Sequence, residues 1–375
     1  MAHAYTPGLT VSRRAVVRRR RLLPLQGDVV VSVGDEVGPG TVVARTLIPG
    51  SVQARDVASD LGVPPSDLPG AMLKKEGESV LKDEVVAEQK SFFGVFTARS
   101  LAPINGTVER ISDVTGQVLY REPPVPIEVG AYVRGVVTEI LPREGAVVEA
   151  RGAFIQGIFG IGGESHGPLA IVSKSPDAVL EAGDLSPGLG GRILVGGRLV
   201  TLAAIGEAAR LGVRGLIVGG MNDDDLRRIL GYELGVAITG HETIGLTIVM
   251  TEGFGAIAMA RRTFDLLAVN EGREASINGT TQIRAGVIRP EVIVPLETGA
   301  SGASDAPRKG PATMEIGSTV RIIRGSRFGA IGKVAALPAE PAPLETEARV
   351  RVVTVGMADG EAVTLPRANV ELIEE

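Results

Sequence analysis

Glycine and proline interrupt this chain so often that long helices are excluded from most of it: 50 glycines and 23 prolines fall within 375 residues. Glycine weakens a helix through backbone entropy, and proline through its missing amide hydrogen. What lies between them, above all over residues 22 to 150, is a series of short valine-rich runs, the material of strands joined by tight turns. Every apolar stretch is broken well before the ~20 residues that a membrane-spanning helix needs. The paired Arg13 and Arg14, followed by Arg18 to Arg21, lead into Leu22-Leu23-Pro24-Leu25-Gln26, without the apolar core or cleavage site of an export signal. The expectation is a cytoplasmic protein that does not insert into a membrane. At ~100 to 200 residues per domain, several units are expected.

The composition removes whole classes of chemistry. No cysteine is present, so disulfides, thiolate metal sites, iron–sulfur clusters and cysteine nucleophiles are excluded. Three histidines, His3, His166 and His241, do not make a histidine-rich metal site. Neither a metal nor a cofactor is expected. The 39 basic and 44 acidic residues leave a formal charge of −5, against a globally basic nucleic-acid coat but compatible with local patches. One such patch is a basic N-terminal arm, residues 1–21, with six arginines between Arg13 and Arg21.

Residues 22–150 read as a β domain with a partly helical insertion near 51–72. Inside it is a degenerate repeat. Val33-Gly34-Asp35-Glu36-Val37 and Thr41-Val42-Val43-Ala44 recur 43 residues later as Glu76-Gly77-Glu78-Ser79-Val80 and Glu84-Val85-Val86-Ala87. Each copy places a glycine at a turn, an acid beside it and a strand after it. Asn105-Gly106 predicts a type I′ hairpin. Together with Ala102 to Val118 these residues resemble the barrel-sandwich hybrid fold of biotinyl and lipoyl carriers, membrane-fusion adaptors and the C subunit of the Rnf complex. That resemblance implies a fold and no single function. A carrier would need its modified lysine on an exposed hairpin, and Met72-Leu73-Lys74-Lys75 departs from the biotinyl pattern of a lysine between two methionines.

Residues 151–189 read as a Gly-rich β connection. Its Gly157 to Gly167 stretch is compatible with an anion loop, but a strand follows where a helix should open, which favours a hairpin or crossover. Over 190–297 the apolar period changes toward 3.6, predicting a small, largely parallel α/β domain. Its helices are expected from Thr201, after an Asn222 cap, and near Met259 to Val269. In open α/β sheets the carboxyl strand ends meet at a ligand crevice. Gly196, Gly197, Arg198, Gly219, Gly220, Asn222, Glu252, Asn278, Thr280 and Thr281 would line it. The same residue types are also what tight strand-to-helix turns require. His241 with Glu242 is either an acid–base pair or a surface turn.

Residues 298–314 are small, polar and aperiodic, hence a linker. Over 315–375, Gly317 to Val334 forms a strand, a glycine turn and a second strand, and Leu365 to Ile373 supplies a closing strand. This segment resembles the KOW motif on an SH3-like β-barrel, as in the Spt5/NusG family and a ribosomal protein. The resemblance implies contact with RNA or protein partners, here through Arg321, Arg324, Arg327, Phe328 and Lys333. The fold expected is thus multidomain β and α/β: a barrel-sandwich hybrid, a small α/β domain and a C-terminal SH3-like barrel. Two functions follow. One is a non-catalytic binding, assembly or adaptor protein whose barrel docks RNA, a ribonucleoprotein or a protein. The other is a small-molecule (anionic ligand) binding protein or enzyme at the α/β crevice. Open sheet edges further suggest a homo-oligomer.

Overall fold

The computed structural model describes residues 9–90, 97–231, 242, 244–282, 288–296, 314–322, 327, 330–343, 349–357 and 360–372. The protein is mostly β, built from several sheets. Its first part runs through β1 (Val11–Leu22), β2 (Asp28–Val29), β3 (Glu36–Val37) and β4 (Val42–Ile48). Then follow β5 (Val52–Asp56), α1 (Val57–Leu61), α2 (Leu68–Ala71), β6 (Ser79–Val80), β7 (Val85–Lys90), β8 (Thr97–Leu101), β9 (Gly106–Ile111) and β10 (Gln117–Arg121). The chain returns through β11 (Val125–Gly130), β12 (Gly135–Leu141) and β13 (Gly145–Gln156). Two cores result: Val37, Val43, Tyr132 and Val148 belong to one, and Leu68, Val86, Val108 and Tyr120 to the other.

These two cores are two copies of one plan, the second inserted into the first between β4 and β11. β1 pairs with β13 as β5 pairs with β10, and β12 with β13 as β9 with β10. β3 pairs with β12 as β6 with β9, and β4 with β11 as β7 with β8. All eight pairings are antiparallel. The correspondence reaches single bonds. Gly34 N donates to Val137 O at 2.8 Å and Gly77 N to Val108 O at 2.7 Å. Ser32 N donates to the Asp35 carboxylate and Lys75 N to that of Glu78, both at 2.8 Å. The register shift between Val137 and Glu139 recurs between Val108 and Arg110.

Three expectations change. Residues 22–150 form two nested units, and the repeat seen at 33–44 and 76–87 is half of the duplication. The basic arm is not an arm, because Val11 to Leu22 pairs along the whole of β13. Asn105-Gly106 does not turn a hairpin, since β8 pairs with β7 while β9 pairs with β10 and β6. The insertion near 51–72 does carry the helical turns α1 and α2, with β5 before them.

Next come β14 (Phe159–Ile161), β15 (Glu164–Ile171), β16 (Val179–Leu180), β17 (Ile193–Val195), β18 (Leu199–Val200), α3 (Leu202–Arg210), β19 (Gly215–Met221) and α4 (Asp223–Leu230). β20 (Thr247–Phe254), α5 (Arg261–Ala268), β21 (Glu274–Asn278) and β22 (Glu291–Pro295) complete this part. The sheet order β14-β20-β19-β17-β15-β21-β22-β13-β12-β3 makes one mixed sheet that continues into the outer copy. Along that path only β15, β17, β19 and β20 are mutually parallel; β14, β21, β22 and β13 run antiparallel to their neighbours. Within residues 151–189, the end of β13 together with β14, β15 and β16 therefore belongs to the sheet. Alternate strand residues feed two cores: Leu194, Leu216 and Ile248 pack with Ile205 of α3 and Leu226 of α4, while Ile193, Ile217 and Val249 pack with Phe264 and Leu267 of α5. Both faces are covered, which is why these strands read as apolar runs. The Thr201 hydroxyl caps α3 by accepting from Ala204 N at 3.2 Å.

The C-terminal part contains β23 (Thr319–Ile322), β24 (Ile331–Ala336), β25 (Ala342–Pro343), β26 (Arg349–Val350), β27 (Val352–Met357), β28 (Ala362–Pro366) and β29 (Val370–Leu372). Five of these form an antiparallel sheet in the order β28-β27-β24-β23-β29 over a core of Val320, Val334, Val353, Val355 and Val370. The expected linker, 298–314, lies outside the described residues apart from Met314. Among the described residues no helix is long and apolar enough to cross a membrane.

Gly106 and Gly135 occupy matching places where β9 and β12 cross their hairpin partners. A Cβ would stand 2.0 Å from Arg121 O at the first and 2.2 Å from Glu149 O at the second. Gly106→Ala should therefore cost about 1–3 kcal/mol in urea unfolding. Gly70→Ala, where a Cβ meets nothing within 4 Å, should leave the midpoint unchanged or slightly raised.

Candidate functional site

The strand ends grouped by the sequence separate into two sets. Gly196, Gly197 and Arg198 follow β17, Gly219 and Gly220 lie in β19, Asn222 precedes α4, and Glu252 lies in β20. All are toward the carboxyl ends of the parallel strands. β21 runs the other way, so Asn278 stands opposite Glu164 at the start of β15. Thr280 and Thr281 follow it there, and the buried Thr281 hydroxyl accepts from Gly160 N at 2.8 Å. The four ends do not converge on one crevice. The glycines at the carboxyl side serve close packing: a Cβ would stand 2.3 Å from Ala178 O at Gly197, 2.3 Å from Ile257 O at Gly219 and 2.2 Å from Gly255 O at Gly220. The Gly-rich loop is closed in the same way, with Ile248 O at 2.7 Å from a Cβ at Gly160 and Leu246 O at 2.4 Å from one at Gly162. Arg198 approaches Asp177 at 4.0 Å, and Asn222 reaches Asp225 at 3.4 Å.

Glu252 has a different partner from the one the sequence suggested. One of its oxygens accepts from Ala260 N at 3.0 Å and the other from Arg321 of β23, also at 3.0 Å. Arg321 donates in turn to Glu371 of β29 at 2.9 Å, and Glu371 accepts from Arg289, just ahead of β22, at 2.7 Å. The side chains of Arg321 and Glu371 are only 2% and 1% exposed. An alternating chain, Glu252–Arg321–Glu371–Arg289, thus ties the C-terminal module to the α/β body. Buried charges persist only when paired in this way. Arg321 is therefore not a surface contact residue, because it is spent inside the molecule. Arg327 stays at the surface and pairs with Glu361. Lys333 is exposed. Arg324 and Phe328 lie outside the described residues.

A second polar cluster joins the outer copy to the same sheet. Arg19 on β1 pairs with Glu291 of β22, and Arg21 engages the Glu164 carboxylate with both terminal nitrogens, at 2.6 and 2.7 Å. The Arg21 guanidinium also lies 5.4 Å from the Tyr132 ring centroid, and the Tyr132 hydroxyl donates to Glu291 at 3.2 Å. Burial pushes the Tyr132 phenol well above its usual range, and the neighbouring Glu291 and Glu164 carboxylates add to the effect. Two of the six N-terminal arginines are thereby neutralised internally, and Arg18 pairs with Glu149 at 2.8 Å. Sequence reasoning missed these partners, since they lie 131 to 272 residues away.

His166, half-exposed on β15, has its Nδ1 2.8 Å from the Glu274 carboxylate of β21. His241 is outside the described residues, while Glu242 accepts from Gly162 N at 3.0 Å. Lys74 is held by Glu84 at 2.7 Å and by Ser79 O at 3.1 Å, so it is not a free hairpin lysine. Among the described residues no group of three or more histidines and acids could hold a metal ion. No protein-family model matches this chain, and no curated protein matches it significantly.

Replacing Arg321 by Met should leave Glu252 at the junction without a cation and Glu371 with Arg289 alone, and cost about 3–5 kcal/mol. Calorimetry should then show the C-terminal module melting ahead of the body. Alkaline titration followed by tyrosine absorbance gives an independent check. Tyr120 is pushed up to about 12 by burial and Tyr132 also moves up. Because both folded values exceed the unfolded value of about 10, each contribution to stability is full below pH ~10; that of Tyr120 is lost as the pH rises through about 12, and that of Tyr132 as the pH rises through its own raised value. Tyr120→Phe and Tyr132→Phe should remove signal that otherwise appears only with alkaline unfolding.

Proposed function

We propose that this protein is a non-catalytic binding or assembly protein, an adaptor whose C-terminal module docks a protein partner through the β23–β24 turn. In this reading the module is an SH3-like barrel with a KOW motif, the nested copies are barrel-sandwich hybrids, and the protein works in the cytoplasm. The observation that carries the reading is the buried chain Glu252–Arg321–Glu371–Arg289. It fixes one side of the module to the body and leaves Arg327 and Lys333 on its surface. A module anchored to the body loses less orientational freedom when a partner binds than a tethered one would. Protein is favoured over RNA because two of the cations counted for phosphate contact are already neutralised, Arg321 by buried carboxylates and Arg327 by Glu361.

The test compares Phe328→Ala with the double variant Arg324→Ala/Arg327→Ala on a partner recovered with the intact protein. A protein interface predicts the larger loss, about tenfold or more, for Phe328→Ala and a shallow salt dependence. An RNA interface predicts the larger loss for the double variant, with a salt slope lower by about one unit per lost phosphate contact. If neither variant changes binding, the turn is not the docking site.

A further inference from the structure

The nested copies share a surface that is covered in one and open in the other. In the outer copy, Tyr132 reaches Glu291 of β22, and Leu296 N donates to Arg151 O at 2.8 Å. Tyr132, Val133 and Ala150 are all buried. The register of the copies gives their counterparts. Ala131 N donates to Thr41 O at 2.8 Å and Ala102 N to Glu84 O at 2.9 Å, so Tyr132 and Val133 correspond to Pro103 and Ile104. The β12–β13 and β9–β10 ladders align Glu149 with Arg121, so the residues that follow, Ala150 and Arg151, match Glu122 and Pro123. Pro39, whose carbonyl accepts from Tyr132 N, corresponds to Lys82.

In the inner copy these counterparts line an open hollow of about 440 Å³, formed by Lys82, Pro103, Ile104, Asn105, Glu122 and Pro123. Pro103, Ile104 and Pro123 supply its apolar lining, and Lys82, Asn105 and Glu122 its polar lining. Lys82 and Glu122 are exposed, on separate segments, and neither has a salt-bridge partner among the described residues. Leu81, beside Lys82, is 69% exposed. One cation and one anion beside these apolar residues form a surface complementary to itself: a twofold axis sets Lys82 of each copy against Glu122 of the other.

We infer that this hollow is where two copies of the chain meet, inner copy to inner copy, with two reciprocal Lys82–Glu122 pairs over Pro103, Ile104 and Pro123. The contact lies on a different module from the C-terminal turn and does not depend on the role proposed for it. A charge-swap experiment by sedimentation across a dilution series tests it with the full chain. The unchanged protein should show a mass that doubles with concentration. Lys82→Glu and Glu122→Lys each place like charges at both pairs and should weaken self-association by about a hundredfold. Mixing the two single variants restores opposite charges at both pairs, so a heterodimer should form. The double variant Lys82→Glu/Glu122→Lys should self-associate again. Because all these positions are exposed, circular dichroism should be unchanged throughout. A monomeric mass for the unchanged protein at every concentration would overturn the inference. So would single variants that associate as the unchanged protein does, or a mixture that yields no heterodimer.

Discussion

The amides and carbonyls of β13 must all be satisfied, and this twelve-residue strand finds its partners in two different units. Its first half bonds β12, closing the outer copy, and its second half bonds β22, at the edge of the α/β part. β1 runs along the whole of it on the other side. Neither unit has a complete sheet without the other. The apolar residues follow the same logic: Ile293 of β22 packs in the core of the outer copy, while its neighbours Val292 and Val294 pack against α5. Pleating sends alternate residues of one strand into two cores.

Where the units abut, the chain adds ion pairs to the apolar contact. Arg19–Glu291 and Arg21–Glu164 lie at the junction of the outer copy, and Arg289, Arg321, Glu252 and Glu371 at that of the C-terminal module. Burying such groups costs desolvation free energy that attraction barely repays, so these pairs are weak sources of stability. Their directionality is what distinguishes them. A guanidinium with two carboxylates to serve admits few orientations, whereas apolar faces slide. The positive φ of 69° at Tyr132, unusual for a residue with a side chain, is held by a bond at each end of that residue.

Much of the local structure was legible because it has local causes. Thr201 caps α3, the apolar period marks α3 and α5, and glycine with its neighbouring acid marks both copies of the turn at Gly34 and Gly77. The second half of the duplication was not legible, since Val136 to Glu149 and Thr107 to Arg121 share pairing and a bulge but few residues. The direction of β21 was equally hidden. A strand of five residues carries no sign of its polarity in the sheet, and assuming it parallel drew Asn278 and Thr280 to the wrong edge. Glu252 looked like a ligand residue because it stands at the carboxyl end of an apolar strand, where open α/β sheets bind ligands. Its partner, Arg321, lies 69 residues away in another module.

The insertion leaves its host almost undisturbed. Ile48 and Val125, the residues flanking it, are directly opposed across β4 and β11, and Val52 and Arg121 are opposed across β5 and β10. The chain thus departs and returns through a ladder that a tight turn of about two residues would otherwise close. In engineering terms the end of that ladder is a natural splice point. Residues 49 to 124 could be exchanged for a short turn, or for an unrelated cargo whose termini lie side by side, without asking the remaining strands to re-register.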